Sequence, residues 1–278
     1  MSADEWVARV PHPALRPLVT RYVGYVQHST TPSLHRGLPS GHLTFIVSLR
    51  EPIRLVGMPA PGQSPGAFPG LVAGMHLAPA LIAQDPVQAG VSLELSPLGA
   101  RALLGVSPAE LAGQVVHLAE LGSPELTLLP ERLAEAPDWP RRFAILDQVM
   151  RAQLTQAPEP APEVRWAWHR VLQSGGTVPV ASLAREVGWS RRHFGERFAR
   201  ELGLAPKQAA RVVRFERTGR LLRRSGPVRL AELAIACGYY DQAHLTNEWR
   251  ALAGCSPGTW IAEELPFLQG KFDTDGAD

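Results

Sequence analysis

Apolar and polar positions follow two rhythms along this chain. Through the first hundred residues, short runs rich in β-branched and aromatic side chains lie between prolines and glycines, the pattern of strands and turns. Leu18–Val26, Leu43–Leu49, Ile53–Met58, Leu71–Met75, Leu81–Ala83 and Gly90–Leu95 are the candidate strands, and the segment from Ala60 to Gly70 reads as a loop. Strands this short and this closely spaced predict a small barrel or sandwich. From Ser96 onward the apolar positions recur three and four apart. Ser96-Pro97 caps and opens a helix through Leu104, Ser107-Pro108 opens another from Ala109, and further helices are predicted over Glu125–Glu135 and Trp139–Leu154. The last carries Trp139, Phe143, Leu146, Met150 and Leu154 on one face. That stripe fits a helix packed on its own domain, or a short dimerisation seam.

In the final third the helical rhythm occurs twice in the same form. Leu230, Leu233, Ala234 and Cys237 make one apolar stripe, Gly238 stops it, and Asp241 is an N-cap for a helix that buries Leu245, Trp249 and Leu252. Gly254 closes that helix and Pro257 opens the next. Upstream, Leu183-Ala184, Gly188, His193-Phe194, Phe198, Gly203 and Pro206 repeat this order, with one residue inserted in the later copy. A short helix, a glycine turn and a second amphipathic helix make a helix-turn-helix, and here there are two copies of it. Between them Lys207–Arg224 has no breaker except Gly219, which predicts a connecting helix of roughly 27 Å. Its arginines 211, 214, 217, 220, 223 and 224 make either a solvated face or a set of phosphate contacts. Another helix is predicted over Glu163–Gln173.

Charge sharpens the division. Residues 163–265 carry 16 Lys/Arg and 10 Asp/Glu, a surplus of six positive charges, although the net charge of the whole chain is only +2. A basic module favours a polyanionic partner. Ala157–Pro162 (APEPAP) is a stiff, extended linker between the acidic and basic parts. The domains expected are therefore 1–156, a linker at 157–162, a basic helical domain at 163–265 and a polar tail at 266–278. The fold class expected is α+β.

Other chemistry finds little support. Histidines 12, 28, 35, 42 and 76 show none of the close pair spacing of a metal motif, and no P-loop, nucleophile elbow or dinucleotide fingerprint is present. No metal, cofactor or catalytic residue is expected. Cys237 and Cys255, the only two cysteines, fall in or beside predicted helices and read as small buried hydrophobes of a reducing compartment. Met1–Val10 lacks the apolar core of a leader, and the apolar run Leu71–Ala83 is too short to span a bilayer. The expected location is the cytoplasm, with no membrane partner. Any ligand of the first 156 residues is expected in an apolar pocket of the strand-rich part.

The repeat carries a resemblance. Leu183-Ala184, Gly188 and Phe194–Phe198, then Ile235-Ala236-Cys237-Gly238-Tyr239, Asp241-Gln242, Leu245, Trp249, Gly254 and Ser256-Pro257, resemble the DNA-binding domain of the AraC/XylS family of bacterial transcription regulators over about 100 residues. The resemblance implies seven helices with two helix-turn-helix units, a partner in double-stranded promoter or operator DNA, and control through the other domain. The further partners it leaves room for are a small-molecule effector, RNA polymerase and a second copy of the chain. It places Arg191, Arg192, Gly195 and Glu196 on the exposed front of the first reading helix, and Gln242, Ala243, His244, Thr246 and Asn247 on the second. Ser190 and Asp241 stand at the helix N-termini, and Arg250 is added from the last turn of the second helix. Arginine can fork onto guanine, Gln or Asn onto adenine, and Glu can accept from cytosine. Gly195 and Glu196 depart from the family's longer polar and basic residues, which shifts the expected base reading toward the second copy. The alternatives are a catalytic N-terminal domain on a DNA-binding module, or a regulator that needs no ligand. A DNA-repair methyl acceptor of that fused kind is excluded, because residues 1–162 contain no cysteine.

Overall fold

The computed structural model of the protein describes residues 4–28, 34–155, 159–224 and 229–272, with residue 224 and residues 265–272 described through the backbone alone. Among the described residues there are ten strands: β1 (Glu5–Arg9), β2 (Val19–His28), β3 (Leu34–Gly37), β4 (Leu43–Ser48), β5 (Ile53–Gly57), β6 (Gly66–Phe68), β7 (Gly70–Ala73), β8 (Ala80–Ala83) and β9 (Val87–Leu95) in succession, and β10 (Val115–His117) after two short helices. They form two antiparallel sheets, in the orders β1-β2-β9-β4-β7-β10 and β3-β8-β5-β6. In β4, Leu43, Phe45 and Val47 are buried while Thr44 and Ile46 are half-exposed, the period-two pattern that fixes which face meets the core.

The helices of this part are α1 (Ala100–Leu104) and α2 (Pro108–Leu111), which precede β10, and α3 (Pro124–Thr127), α4 (Leu129–Glu135) and α5 (Trp139–Gln153), which follow it. Ser107 and Glu110 form a capping box at α2, with the Ser107 N–H donating to the Glu110 carboxylate at 2.9 Å. Trp139, Phe143, Leu146 and Met150 of α5 are buried in one core with Tyr22, Phe45, Val91 and Leu93, and Phe143 stacks on Tyr22. The dimerisation seam considered for this stripe is thereby overturned, since the chain's own sheet covers it.

Four other expectations are corrected. The segment 60–70 is not all loop, because β6 lies within it and draws its hydrogen bonds from β5, with Phe68 opposite Ile53. Strands β1, β3 and β10 were not expected; each is short or carries charge and is held by a neighbouring strand, as where Trp6 of β1 lies opposite Tyr25 of β2. The single helix over 125–135 is two, since Pro130 has no N–H for the Leu126 carbonyl and its ring crowds that turn. The last helix, α12 (Pro257–Phe272), runs through the start of the expected tail.

The other C-terminal helices are α6 (Pro162–Gln173), α7 (Val180–Glu186), α8 (Arg191–Leu202), α9 (Pro206–Arg224), α10 (Leu230–Ala236) and α11 (Gln242–Ala253). Pro162, placed in the linker by sequence, is the first residue of α6, where a missing N–H costs nothing. Linker residues 157 and 158 lie outside the described residues. Trp168, Leu183, Phe194 and Phe198 centre one core, and Leu233, Leu245, Trp249 and Trp260 another.

These helices pack against the strand-rich part. Met75 enters the first of the two cores and Leu77 packs against both. The Gly41 N–H donates to Glu216 of α9 at 2.9 Å. Glu264 of α12, almost fully buried, meets His35 at 2.7 Å and accepts from the Arg36 N–H at 2.8 Å. Gly203, at the end of α8, lies so close to Pro108 that a Cβ there would stand 2.6 Å from the Pro108 carbonyl oxygen.

Candidate nucleic-acid interface

The two helix-turn-helix units are built by the same local devices. In the turns, Gly188 and Gly238 both take positive φ, and the N–H groups of Trp189 and Tyr239 return to the carbonyls of Ala184 and Ala234. Ser190 caps α8 by accepting from the His193 N–H at 3.2 Å, and Asp241 caps α11 by accepting from the His244 N–H at 2.7 Å. Each second helix ends on a left-handed glycine, Gly203 or Gly254, whose N–H bonds the carbonyl of Ala199 or Arg250. Leu183, Ala184, Phe194 and Phe198 are buried in the first unit, as are Leu233, Ala234, Leu245 and Trp249 in the second. Trp249 is fully buried against Phe215 and Trp260, as a core residue should be.

The expected reading residues lie on the opposite sides of these helices. Ser190, Arg191, Arg192 and Glu196 are exposed on α8, and Asp241, Gln242, Ala243, His244, Asn247 and Arg250 are exposed on or beside α11. Thr246 and Gly195 are half-buried. The Arg192 guanidinium, 89% exposed, pairs with Glu196 at 2.9 Å one helical turn on, so the basic group and its neutralising partner share one surface. His244 is partly engaged: its Nδ1 accepts from the Tyr240 N–H at 3.3 Å, and its ring meets Tyr239 edge-on. Gln242 and Asn247 have open surroundings, and their amides suit adenine edges.

Sequence reasoning passed over Glu248. Its carboxylate, 7% exposed, points away from the exposed front of α11 onto α9. Arg211 donates from Nε to Oε1 at 2.8 Å, and Arg214 donates to both carboxylate oxygens, at 2.8 to 3.2 Å. Arg214 also lies over the Tyr239 ring, 4.9 Å from its centre. Such paired, partly desolvated forks are geometrically demanding, and they fasten α11 to α9. The α9 arginines are therefore not one uniform face. Arg211 and Arg214 face Glu248, and Arg223 lies over Trp260 at 5.3 Å, while Arg220 is exposed. A carboxylate one helical turn from exposed residues gives no sequence signal when its partners stand 34 and 37 residues away.

A cleft of about 610 Å³ opens between the two units, with His244 and Asn247 of the second on its rim and Lys207, Arg211 and Arg214 along its floor. A smaller one of about 220 Å³ lies where Arg101 and Pro108 approach Arg197, Arg200 and Glu159. Among the described residues no helix is long and apolar enough to cross a membrane.

Comparison with known proteins places these features. Residues 183–263 match the family model described as a helix-turn-helix domain. A curated relative, the uncharacterized HTH-type transcriptional regulator YbfI of Bacillus subtilis, is 27% identical over 93 residues, 33% of this chain and 33% of the relative. The chain thus matches about a third of that relative's length. Among solved structures, apo ToxT from Vibrio cholerae, in a single-residue variant, superimposes with a TM-score of 0.52 at 9% identity, covering 87% of this chain and 97% of that one. ToxT of Vibrio cholerae O395 bound to (E)-4-(8-methylnaphthalen-1-yl)but-3-enoic acid gives 0.50 at 9% identity, covering 94% and 99%. At such identities the likeness is one of fold, and it extends over both the strand-rich and the helical parts.

Proposed function

We propose, from the premise that the chain carries an AraC/XylS-type DNA-binding domain at its C-terminal end, that it is a sequence-specific transcription regulator whose two helix-turn-helix units enter successive major grooves of promoter DNA. The observation that carries this is the repetition of one capped helix, turn and helix on either side of α9, whose 19 residues span about 28 Å. An unbroken connecting helix on which both units pack holds the two reading helices in one fixed relation, as entry into grooves roughly 34 Å apart on one face of the duplex requires. Gln242, Asn247, Thr246 and His244 read bases from α11, and Arg191 and Arg192 read or position from α8. Ser190, Asp241 and Arg250 lie where phosphates flank a groove. Glu196 limits the first unit by neutralising Arg192. The function is binding rather than catalysis, with the domain boundary at residues 157–161, just before α6.

We further propose that a small molecule acting on the N-terminal part modulates DNA binding. Contacts from that part to α9 through Glu216 and to α12 through Glu264 favour this reading over a ligand-independent regulator. The ligand-bound ToxT structure, a neighbour in fold, is consistent with it.

Footprinting of the full-length protein on DNA around its own gene tests the main reading. Two protected segments about one helical turn apart are expected, with affinity falling steeply as salt rises. Absence of any protection at moderate salt, with and without cell metabolites, would overturn it.

A further inference from the structure

The cleft between the two helix-turn-helix units is walled on one side by the loop that enters α7 and on the other by α11, with α9 as its floor. The loop lies directly on α9. Gly176 takes a φ of 77°, and a Cβ there would collide with the Ala210 carbonyl, so only glycine permits the approach. The Thr177 methyl in turn touches Gly238, in the turn of the second unit. The cleft is therefore a built junction of the two units, continuous through His244 and Asn247 with the face that carries Gln242.

Its charges are unevenly engaged. Lys207, Arg211 and Arg214 line the cleft together with one carboxylate, Glu248. Arg214 commits Nε and one terminal nitrogen to both oxygens of Glu248, whereas Arg211 gives that carboxylate only its Nε. The two terminal nitrogens of Arg211 thus remain on a side chain 31% exposed. Lys207 is exposed and makes no ion pair among the described residues. Positive charge in excess, on a guanidinium held in one plane by a carboxylate, suits the fork-shaped recognition of a phosphodiester.

We propose that this cleft seats the DNA sugar–phosphate backbone where it crosses between the two major grooves, with Lys207 and the free end of Arg211 contacting phosphate oxygens and Glu248 positioning Arg211. The inference rests on the DNA-binding reading above and assigns a phosphate site that is distinct from the fronts of the reading helices. When two successive major grooves face a protein, the minor groove and its bordering phosphates lie between them, opposite this cleft. The site carries no base preference. It fixes register, and it couples the two units because both of them line it.

The test uses full-length protein and a fragment selected by the wild type from random-sequence DNA, with an unrelated fragment beside it. Dissociation constants are measured from about 50 to about 200 mM salt. Lys207→Ala and Arg211→Ala are each expected to weaken both fragments alike, by roughly tenfold, and to lower the slope of log affinity against log salt by about one. Arg211→Lys should keep most of the slope with reduced affinity, which distinguishes lost contact from a misfolded unit. Asn247→Ala should change fragment preference and leave the slope in place. Ethylation of phosphates midway between the two protected segments should block the wild type and leave a Lys207→Ala/Arg211→Ala protein indifferent. If the wild type selects a sequence and the two alanine variants retain its slope and its ethylation pattern, the cleft holds no phosphate and the proposal fails alone. If the wild type selects no sequence at all, the DNA-binding reading falls with it.

Discussion

His76 is buried in the loop that carries Met75 and Leu77 toward the helical part, and its ring Nδ1 lies 2.6 Å from the Ala78 carbonyl. Burial, together with the neighbouring His42, pushes its pKa down to about 4 against the Ala78 hydrogen bond, which favours the protonated ring. The unfolded chain takes up a proton near pH 6.5 while the folded chain does so only near pH 4, so folding stability falls as pH drops between these values. Up to about 3 kcal/mol is lost across that window, and denaturant titrations from pH 7 to pH 4 will show a shallower fall in His76→Gln than in wild type. On the exposed fronts of α11 and α8 the contrast lies between Gln242 and Arg192. Gln242→Ala should relax base preference at one position of the site by about 1–3 kcal/mol in competition binding. Arg192→Ala should change preference less, because Glu196, bonded to its Nε on the same surface, offsets its charge beside the base edges. Arg192 was legible as an exposed basic residue, but which way its charge is satisfied was not.

At the scale of elements, capping and packing are separable. The glycine turns, the Ser190 and Asp241 caps and the αL glycines 203 and 254 act within one turn of themselves, so each helix end was readable from spacing alone. How α11 sits on α9 was not readable, because it depends on Glu248 meeting Arg211 and Arg214 across more than thirty residues. Removing that carboxylate leaves two partly buried guanidinium groups facing each other. Glu248→Ala is therefore expected to cost about 2–3 kcal/mol in thermal or chemical unfolding, below the value for a fully buried pair because both arginines keep some solvent. Sequence-specific binding should fall further than non-specific binding, since the reading helix loses its fixed seat.

For the molecule as a whole, the strand-rich part touches the end of α8, the middle of α9 and α12, and leaves the N-terminal fronts of α8 and α11 exposed. Glu264 is the most buried of the acidic contacts. Burial opposes its ionisation, but the hydrogen bond and charge of His35, with Arg36, outweigh that and hold its carboxyl below the usual range. A depressed carboxylate contributes stability that is complete above its unfolded pKa and disappears as pH falls through the folded one. Glu264→Gln removes this contribution at neutral pH and leaves Arg36 with the exposed Glu263 alone. Calorimetry of the full-length proteins is expected to give one transition for the wild type and two for the variant, the packed parts having lost a buried polar tie.

The amino-acid order by itself determined the two-part α+β architecture, most strand and helix positions, the duplicated helix-turn-helix and the exposed residues that suit base edges. Those features follow from periodicity, turn chemistry and capping, which act over a few residues. Only the tertiary structure decided that the stripe of α5 is covered by Tyr22 and its sheet, that β6 and β10 exist as partners of other strands, and that the arginines of α9 divide between Glu248, Trp260 and solvent. It also joined Lys207 and Arg211 to His244 and Asn247 in one cleft. Burial and ion pairing are settled by whichever distant segment arrives opposite, and no local pattern encodes that arrival.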